Sequence, residues 1–370
     1  MKKDTPWKVA VVGCGSFATG QYLPNISKTA NAVLTAVCDI RTDVAEASCK
    51  RFGAKEWYGS VEELVEKGDF DIAIDAASIP AHDHINKTIL SAGKHLFSQK
   101  PAALTVEDLT EQIEIAKKNH VKFACVPIHM ITPDMLMAEQ IIRDGGIGRV
   151  LSVKCVSTHG GPEYFQYRSA DPSWFYEPGA GALFDMGVHA LDKVTGVMGP
   201  AKSVYCLAAT ARKQRTCRSG AFDGKVIRTD YMPDTYYISL DFGDDRIGFV
   251  DTGFTQVATR CPPLEIYGEQ GVISFKEHGG TWPNPEVYVD SPAIGMRGWI
   301  TPMTWTKSTR TPNFTQCCPL ADLVKAIEND TEPVLSPEHA RHVLEIMCAI
   351  PQSIEQKKPI DLHTTFKPFI

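Results

Sequence analysis

The run Trp7-Lys-Val-Ala-Val-Val12 and the Gly13-Cys-Gly15-Ser16-Phe17-Ala18 behind it constrain this chain more than any other stretch. A β-branched run feeding straight into Gly-x-Gly-x-x-Ala predicts the strand, tight turn and helix start of a dinucleotide-binding unit. Gly13 permits the turn, Gly15 lets the backbone approach a pyrophosphate, and Ala18 is small enough for close helix–strand packing. The helix is expected to continue to about Ala30. A second apolar run, Ala32 to Val37, leads into Cys38-Asp39-Ile40-Arg41. Asp39 lies about 20 residues past the glycines, where an acidic side chain accepts hydrogen bonds from ribose hydroxyls. It favours NAD because it would repel a 2′-phosphate, although Arg41 beside it could accommodate one.

The rest of the first third keeps this grammar. Helical patterns over Asp43–Phe52, from Ser60, over His82–Ala92 and over Val106–Asn119 alternate with apolar runs at Asp71–Ala77, His95–Ser98 and Val121–Val126. Such alternation requires right-handed crossovers and a parallel sheet. After the helix Pro133–Arg143 the pattern changes. Runs at 150–158, 202–209, 236–242, 247–254, 264–267 and 272–275 follow one another with few helices between them. That order predicts a largely antiparallel sheet. Residues 211–233 and 278–315 are expected as long loops. The chain of 370 residues suits two domains: residues 1–127 as an NAD-binding Rossmann domain and 128–370 as a substrate-binding and oligomerisation domain. The fold class is α/β, with a large open, mostly antiparallel sheet in the second domain.

Composition removes several classes of function. A net charge of −6 with no long basic run argues against nucleic acid or an anionic membrane as partner. No targeting segment precedes Trp7 and no apolar stretch approaches a membrane span, so a cytoplasmic location is expected. Eleven cysteines without a Cys-x-x-Cys read as reduced thiols, with no structural metal.

Two further places carry chemistry. Lys100 follows a strand end, at the edge where ligands bind parallel sheets. Partly desolvated, it could act as a base; by itself it also reads as a surface lysine before a turn proline. In Gly179-Ala-Gly-Ala-Leu-Phe-Asp185-Met-Gly-Val-His189-Ala-Leu-Asp192, Asp185 and His189 stand four apart and share a face if the segment is helical from about Ala182. A carboxylate beside an imidazole suits proton transfer with a hydroxyl, and is also the pattern of a surface ion pair. Tyr164, Arg168 and Trp174 in the preceding loop are candidate sugar contacts, through aromatic faces and guanidinium donors.

With these motifs in this order, the chain resembles the Gfo/Idh/MocA family of sugar oxidoreductases over essentially its whole length. The matching residues are Gly13 to Ala18, Asp39, Pro80-x-His82-x-His84, Gly93-Lys-His95, Lys100-Pro101 and Gly181…Asp185…His189…Asp192. The resemblance implies Lys100, Asp185 and His189 as the catalytic set beside a nicotinamide. It implies a cofactor site of Gly13, Gly15, Ser16, Phe17, Ala18, Asp39, Ile40, Arg41, Ser78, Ile79, Pro80, His84, Gln99 and Lys100. It further implies a homo-oligomer (dimer, tetramer or hexamer) formed through the second-domain sheet. Gln99 departs from the family's usual glutamate. Met130 stands near a frequent arginine, with His129 alongside as a substrate contact. The activity implied is NAD-dependent oxidation of a secondary ring hydroxyl of a sugar or glycoside, with C3 the suspected carbon. Glycoside cleavage by transient oxidation and elimination would use the same residues. A non-catalytic sensor of sugar or dinucleotide is the alternative from another class, though such a descendant would be expected to lose the lysine or histidine.

Overall fold

Strands buried on both faces need near-continuous apolar runs, and the first part of the chain supplies them. β1 (Trp7–Val12), β2 (Ala32–Cys38), β3 (Glu56–Tyr58), β4 (Ile72–Asp75), β5 (His95–Ser98) and β6 (Phe123–Cys125) form one sheet in the order β3-β2-β1-β4-β5-β6. Every pair in it is parallel. The order reverses between β1 and β4, so the crevice that such sheets offer to ligands opens at the carboxyl ends of those two strands. α1 (Thr42–Phe52), α2 (Val61–Lys67), α3 (His82–Ser91) and α4 (Val106–Lys118) form the crossovers. Ser60 and Thr105 cap α2 and α4 by accepting the N–H groups of Glu63 and Asp108.

This is a computed structural model that describes residues 5–29, 31–165, 171–177, 179–230, 232–276, 285–291, 295–302 and 315–370. The long helix expected after Gly15 is not formed. One π-helical turn, Ala18–Tyr22, closes with Leu23 N–H on Ala18 O at 3.0 Å, and a 3₁₀ turn, Ile26–Lys28, follows. Pro24 supplies the reason: it has no N–H to continue the ladder, and its ring crowds the preceding turn. Ala30, the expected end, lies outside the described residues.

The chain divides into two units, Met1–Ile131 with Pro312–Leu344, and Thr132–Thr311 with Glu345–Ile370. The second begins with α5 (Pro133–Arg143), β7 (Val150–Thr158), α6 (Pro162–Phe165) and α7 (Val188–Met198). β8 (Ser203–Ala209), β9 (Gln214–Thr216), β10 (Val226–Arg228), β11 (Thr235–Gly243), β12 (Arg246–Gly253), β13 (Leu264–Gly268), β14 (Gly271–Phe275), β15 (Glu286–Ser291) and β16 (Met296–Ile300) follow. α8 (Cys318–Asn329), α9 (Pro337–Gln356) and β17 (Ile360–Asp361) complete the described elements, and the division between the units falls inside α9. The large sheet runs β16-β15-β14-β13-β7-β12-β11-β8-β17. Only β7 with β12 is parallel, so the sheet is mostly antiparallel as expected.

Alternation along β11 buries Tyr236, Ile238, Leu240 and Phe242 on one face. The other face exposes Leu207, Tyr237, Ile247 and Phe249. The two segments expected as loops are partly strand. Residues 211–233 hold the hairpin β9–β10, and 278–315 hold β15 and β16. Three-residue strands, and strands whose residues stay half-exposed, carry too little apolar alternation to stand out from their flanks.

Within the first unit the returning segment closes the sheet edge. Cys125 N–H donates to Leu335 O at 3.0 Å, Trp7 Nε1 to Glu328 Oε1 at 3.2 Å, and Lys117 pairs with Glu338 at 2.7 Å. All eleven cysteines are free thiols, eight of them buried. Among the described residues no helix is long and apolar enough to cross a membrane.

Candidate active site

At the carboxyl edge of the first sheet the glycine turn is fixed by contact as well as by conformation. Gly13 has φ +87°, and a Cβ there would lie 2.6 Å from Ala77 N and 2.7 Å from Ala76 C and O. The turn after β1 thus packs against the chain leaving β4, at the point where strand order reverses. Gly15 differs: a Cβ there would meet nothing within 4 Å, so the space above it is open. Ala18 is fully buried, while Ser16 and Phe17 are exposed beside the opening. Asp39 ties the two turns together. Its Oδ2 accepts Cys14 N–H and its Oδ1 accepts Arg41 N–H, each at 2.9 Å. Each oxygen keeps a lone pair for a ribose hydroxyl. Arg41 Nε lies 3.7 Å from Asp39 Oδ1, and Ile40 is 89% exposed. Burial pushes the Cys14 and Cys38 thiols up to about 11 and about 12, so neither presents an anion to a phosphate. An open glycine, a buried small residue and a preset carboxylate fit a dinucleotide.

The ends of β4 and β5 continue this edge. Asp75, fully buried, accepts Ala77 N–H at 3.0 Å and faces His82 Nδ1 at 2.5 Å. That pair pins the loop in which Ser78 leads the 3₁₀ turn Ile79–Ala81, with Ser78 and Pro80 exposed. His84 lies on the exposed side of α3, its Nε2 2.6 Å from Glu62 Oε1. Gln99 Nε2 donates to the hydroxyl of the buried Tyr22, and its Oε1 accepts Lys100 N–H at 3.1 Å. Lys100, half-buried, therefore follows β5 on a backbone held by the side chain before it. His129 is half-buried in the turn His129–Ile131, whereas Met130 is a core residue at 3% exposure.

In the second unit, the expected helix from Ala182 has a π turn over Leu183–Gly187 before α7. Val188 N–H reaches Leu183 O, and a Cβ on Gly187 would come within 2.9 Å of Leu183 Cδ1. Glycine at this position avoids that clash. Because of the π turn, Asp185 and His189 are not in one α-helical register, although four residues still span roughly one turn. Ser157 at the end of β7 donates to Met186 O at 3.0 Å and anchors the turn. Asp185 Oδ2 lies 3.9 Å from His159 Nε2. His159 Nδ1 accepts Gly161 N–H at 2.9 Å, so its proton sits on Nε2 and faces Asp185. The ring is stacked on Phe254 at 4.9 Å. Asp192 is buried, and burial pushes its carboxyl well above the usual range.

Tyr164 is half-buried, with the Arg218 guanidinium 4.2 Å over its ring, and Trp174 is 38% exposed and stacked on Phe175 at 3.8 Å. Arg168 lies outside the described residues. Sequence reasoning passed over His159 and the buried cluster beside it. Arg215 Nη1 meets Glu163 Oε1 at 2.9 Å and Arg215 Nη2 meets Asp234 Oδ2 at 2.8 Å. All three are under 5% exposed, and Tyr176 OH donates to Glu163. The only signal was the arginine content of residues 211–233, which as a loop reads as solvated charge.

Both parts of the chain are similar to known proteins. A family model described as "Oxidoreductase family, NAD-binding Rossmann fold" matches residues 7–126, and "GFO/IDH/MocA C-terminal domain" matches residues 135–274. Levoglucosan dehydrogenase of Pseudarthrobacter phenanthrenivorans is 25% identical over 258 residues, 66% of this chain and 62% of that protein. D-glucoside 3-dehydrogenase of Escherichia coli is 26% identical over 260 residues, 68% of this chain and 71% of that protein. The chain thus spans less than two thirds of the first of these. A solved levoglucosan dehydrogenase in complex with NADH shares the fold, with TM-score 0.83 at 20% identity, covering 97% of this chain and 100% of that one.

Proposed function

The chain belongs to the Gfo/Idh/MocA oxidoreductase family, with an NAD-binding Rossmann domain, and from that premise we propose that it oxidises a secondary ring hydroxyl of a sugar or glycoside, reversibly and at C3. When bound, NAD supplies the acceptor for the hydride. The observation that carries the reading is Lys100 at the carboxyl end of β5, on the same sheet edge as Gly13, Gly15 and Asp39. In this reading His189 takes the hydroxyl proton while Lys100 holds the oxygen, and Asp185 orients the imidazole. The name D-glucoside 3-dehydrogenase of one relative supports C3. Tyr164 and Trp174 offer aromatic faces to the C–H side of the ring.

Assembly follows from the second sheet. Leu207, Tyr237, Ile247 and Phe249 leave an apolar strip on its open face, which a second copy of the chain would cover.

The test is NADH formation with a panel of sugars and glycosides, run on the wild type, Lys100→Ala and His189→Ala. Turnover should fall about 100- to 10,000-fold in each variant while NAD binding stays within a few-fold, the usual contribution of one catalytic proton-transfer group. Undiminished turnover in both variants overturns the assignment.

A further inference from the structure

The hairpin β9–β10 sets three arginines, Arg212, Arg215 and Arg218, around a cavity of about 180 Å³ that they line with Glu163, Tyr164 and Gln214. Alternation along β9 turns Arg215 inward, to 1% exposure, while its neighbours Gln214 and Thr216 face out. The guanidinium is held from several sides: Nη1 donates to Gly160 O, Glu163 Oε1 and Phe254 O, and Nη2 to Asp234 Oδ2. Its Nε–H is buried and has no acceptor among the described residues. A charged donor left unmet in the interior is costly, and a site that keeps one is suited to an acceptor that comes from outside.

The remaining charges say which kind. Among the described residues Arg212 has no carboxylate partner, since Asp234 takes only its backbone N–H. Arg218 rests on the face of Tyr164 at 4.2 Å. Glu163 is the one carboxylate in the wall, and its oxygens already accept from Arg215 and Tyr176. Asp234 lies behind Arg215, so even counting both carboxylates the three guanidinium groups leave the cavity positive. Planar guanidinium groups with spare N–H donors match the oxygens of a carboxylate or phosphate.

The geometry points to an oxyanion site at this cavity, one that takes a carboxylate or phosphate group. Its position links it to the catalytic reading. The short loop His159–Gly161 puts an imidazole against Asp185 at one end and, through Gly160 O, accepts from Arg215 at the other. An oxyanion carried by the sugar itself would make the substrate an acidic sugar, an extension that rests on the dehydrogenase reading. A free phosphate ion would satisfy the same chemistry without it.

The experiment uses the full-length wild type, Arg212→Gln, Arg218→Gln and, as a charge control, Lys213→Gln, an exposed residue outside the cavity wall. Inorganic phosphate, D-glucuronate and D-glucose are titrated by calorimetry. NAD-dependent oxidation is compared for the pairs D-glucuronate with D-glucose and D-galacturonate with D-galactose. Binding of phosphate or glucuronate that weakens about 10- to 100-fold in either arginine variant, and not in Lys213→Gln, supports the site. If the acidic member of a pair is also oxidised with the higher kcat/KM, and that ratio falls in the same variants, the oxyanion is the substrate's own. If phosphate binds through these arginines but no sugar is oxidised, the oxyanion site stands and the dehydrogenase reading fails. Oxidation of neutral sugars with no arginine-dependent anion binding overturns the oxyanion site and leaves the dehydrogenase reading intact. Neither oxidation nor anion binding overturns both.

Discussion

The carboxyl edge of the first sheet and the Asp185 region of the second unit are built by different means. On the first edge the working parts are turns. Gly13, the Cys14 N–H and the Asp39 carboxylate sit where strand ends put them, and close packing at Ala76–Ala77 leaves them no other position. In the second unit the working parts are side chains that meet from distant segments. His159 reaches Asp185 across 26 residues, and Arg215 reaches Glu163 across 52. Backbone sites are written in local spacing, whereas side-chain sites are written in the pairing of a sheet. The first kind should respond to changes of shape, the second to changes of charge.

Five substitutions would break or sharpen that contrast. The largest effect belongs to Arg215→Met, which leaves Glu163 and Asp234 buried without their cation. Urea unfolding should show a loss of about 3–5 kcal/mol, the usual result of removing one partner of a buried pair. A loss below 1 kcal/mol would mean that the cluster is not load-carrying in the fold.

Next is acid sensitivity in the returning segment of the first unit. Burial, assisted by the neighbouring His342, pushes His339 down to about 3 from an unfolded value near 6.5. The unfolded chain therefore binds the proton first, and stability present above pH 6.5 is lost as pH falls toward 3. Between pH 6.5 and 4 the loss should be about 3 kcal/mol, and His339→Leu should flatten that part of the profile.

Gly13→Ala comes third. Its new Cβ would meet backbone, which cannot rotate away, so NAD affinity measured by calorimetry should fall about 100-fold. Gly15→Ala, with open space around it, should leave the thermal midpoint of unfolding unchanged. Equal destabilisation by the two alanines would erase the distinction drawn between them. The smallest effect is that of His159→Phe, which keeps the stack on Phe254 but removes the contacts to Gly161 N–H and Asp185. It should lower kcat/KM about 10-fold, an interaction of roughly 1.4 kcal/mol, with sugar oxidation as the readout.

Much of the first unit was legible because strong signals coincide there: β-branched runs, a helix start at Ser60, and a glycine turn. Its misreadings are local. The helix after Gly15 was carried through Pro24, and the strand Glu56–Tyr58 is too short and too exposed to show a period. In the second unit the long strands were readable from alternation, and the Gly243-Asp244-Asp245 turn between β11 and β12 has positive φ at all three residues. The hairpin β9–β10 was not, because arginines and threonines on a short ribbon look like a solvated loop. The π turn was invisible for a different reason: Gly187 passes close to Leu183, where a Cβ would lie 2.9 Å from Cδ1, and no helical period encodes that approach. His159 carried no motif, and its partner is fixed only once β7 is placed beside the turn.

The segment that returns at Cys318 has a consequence for the order in which the chain can mature. β6 is the last strand of its sheet, and Cys125 N–H waits for Leu335 O, as Trp7 Nε1 waits for Glu328. During synthesis residues 312–344, which complete the first unit, emerge only after residues 132–311 of the second. More than two hundred residues must emerge between its open edge and the piece that seals it. Through that interval an unsealed parallel edge stands ready to pair with a neighbouring chain. Nascent fragments that stop before Leu335 should therefore be the aggregation-prone species of this protein.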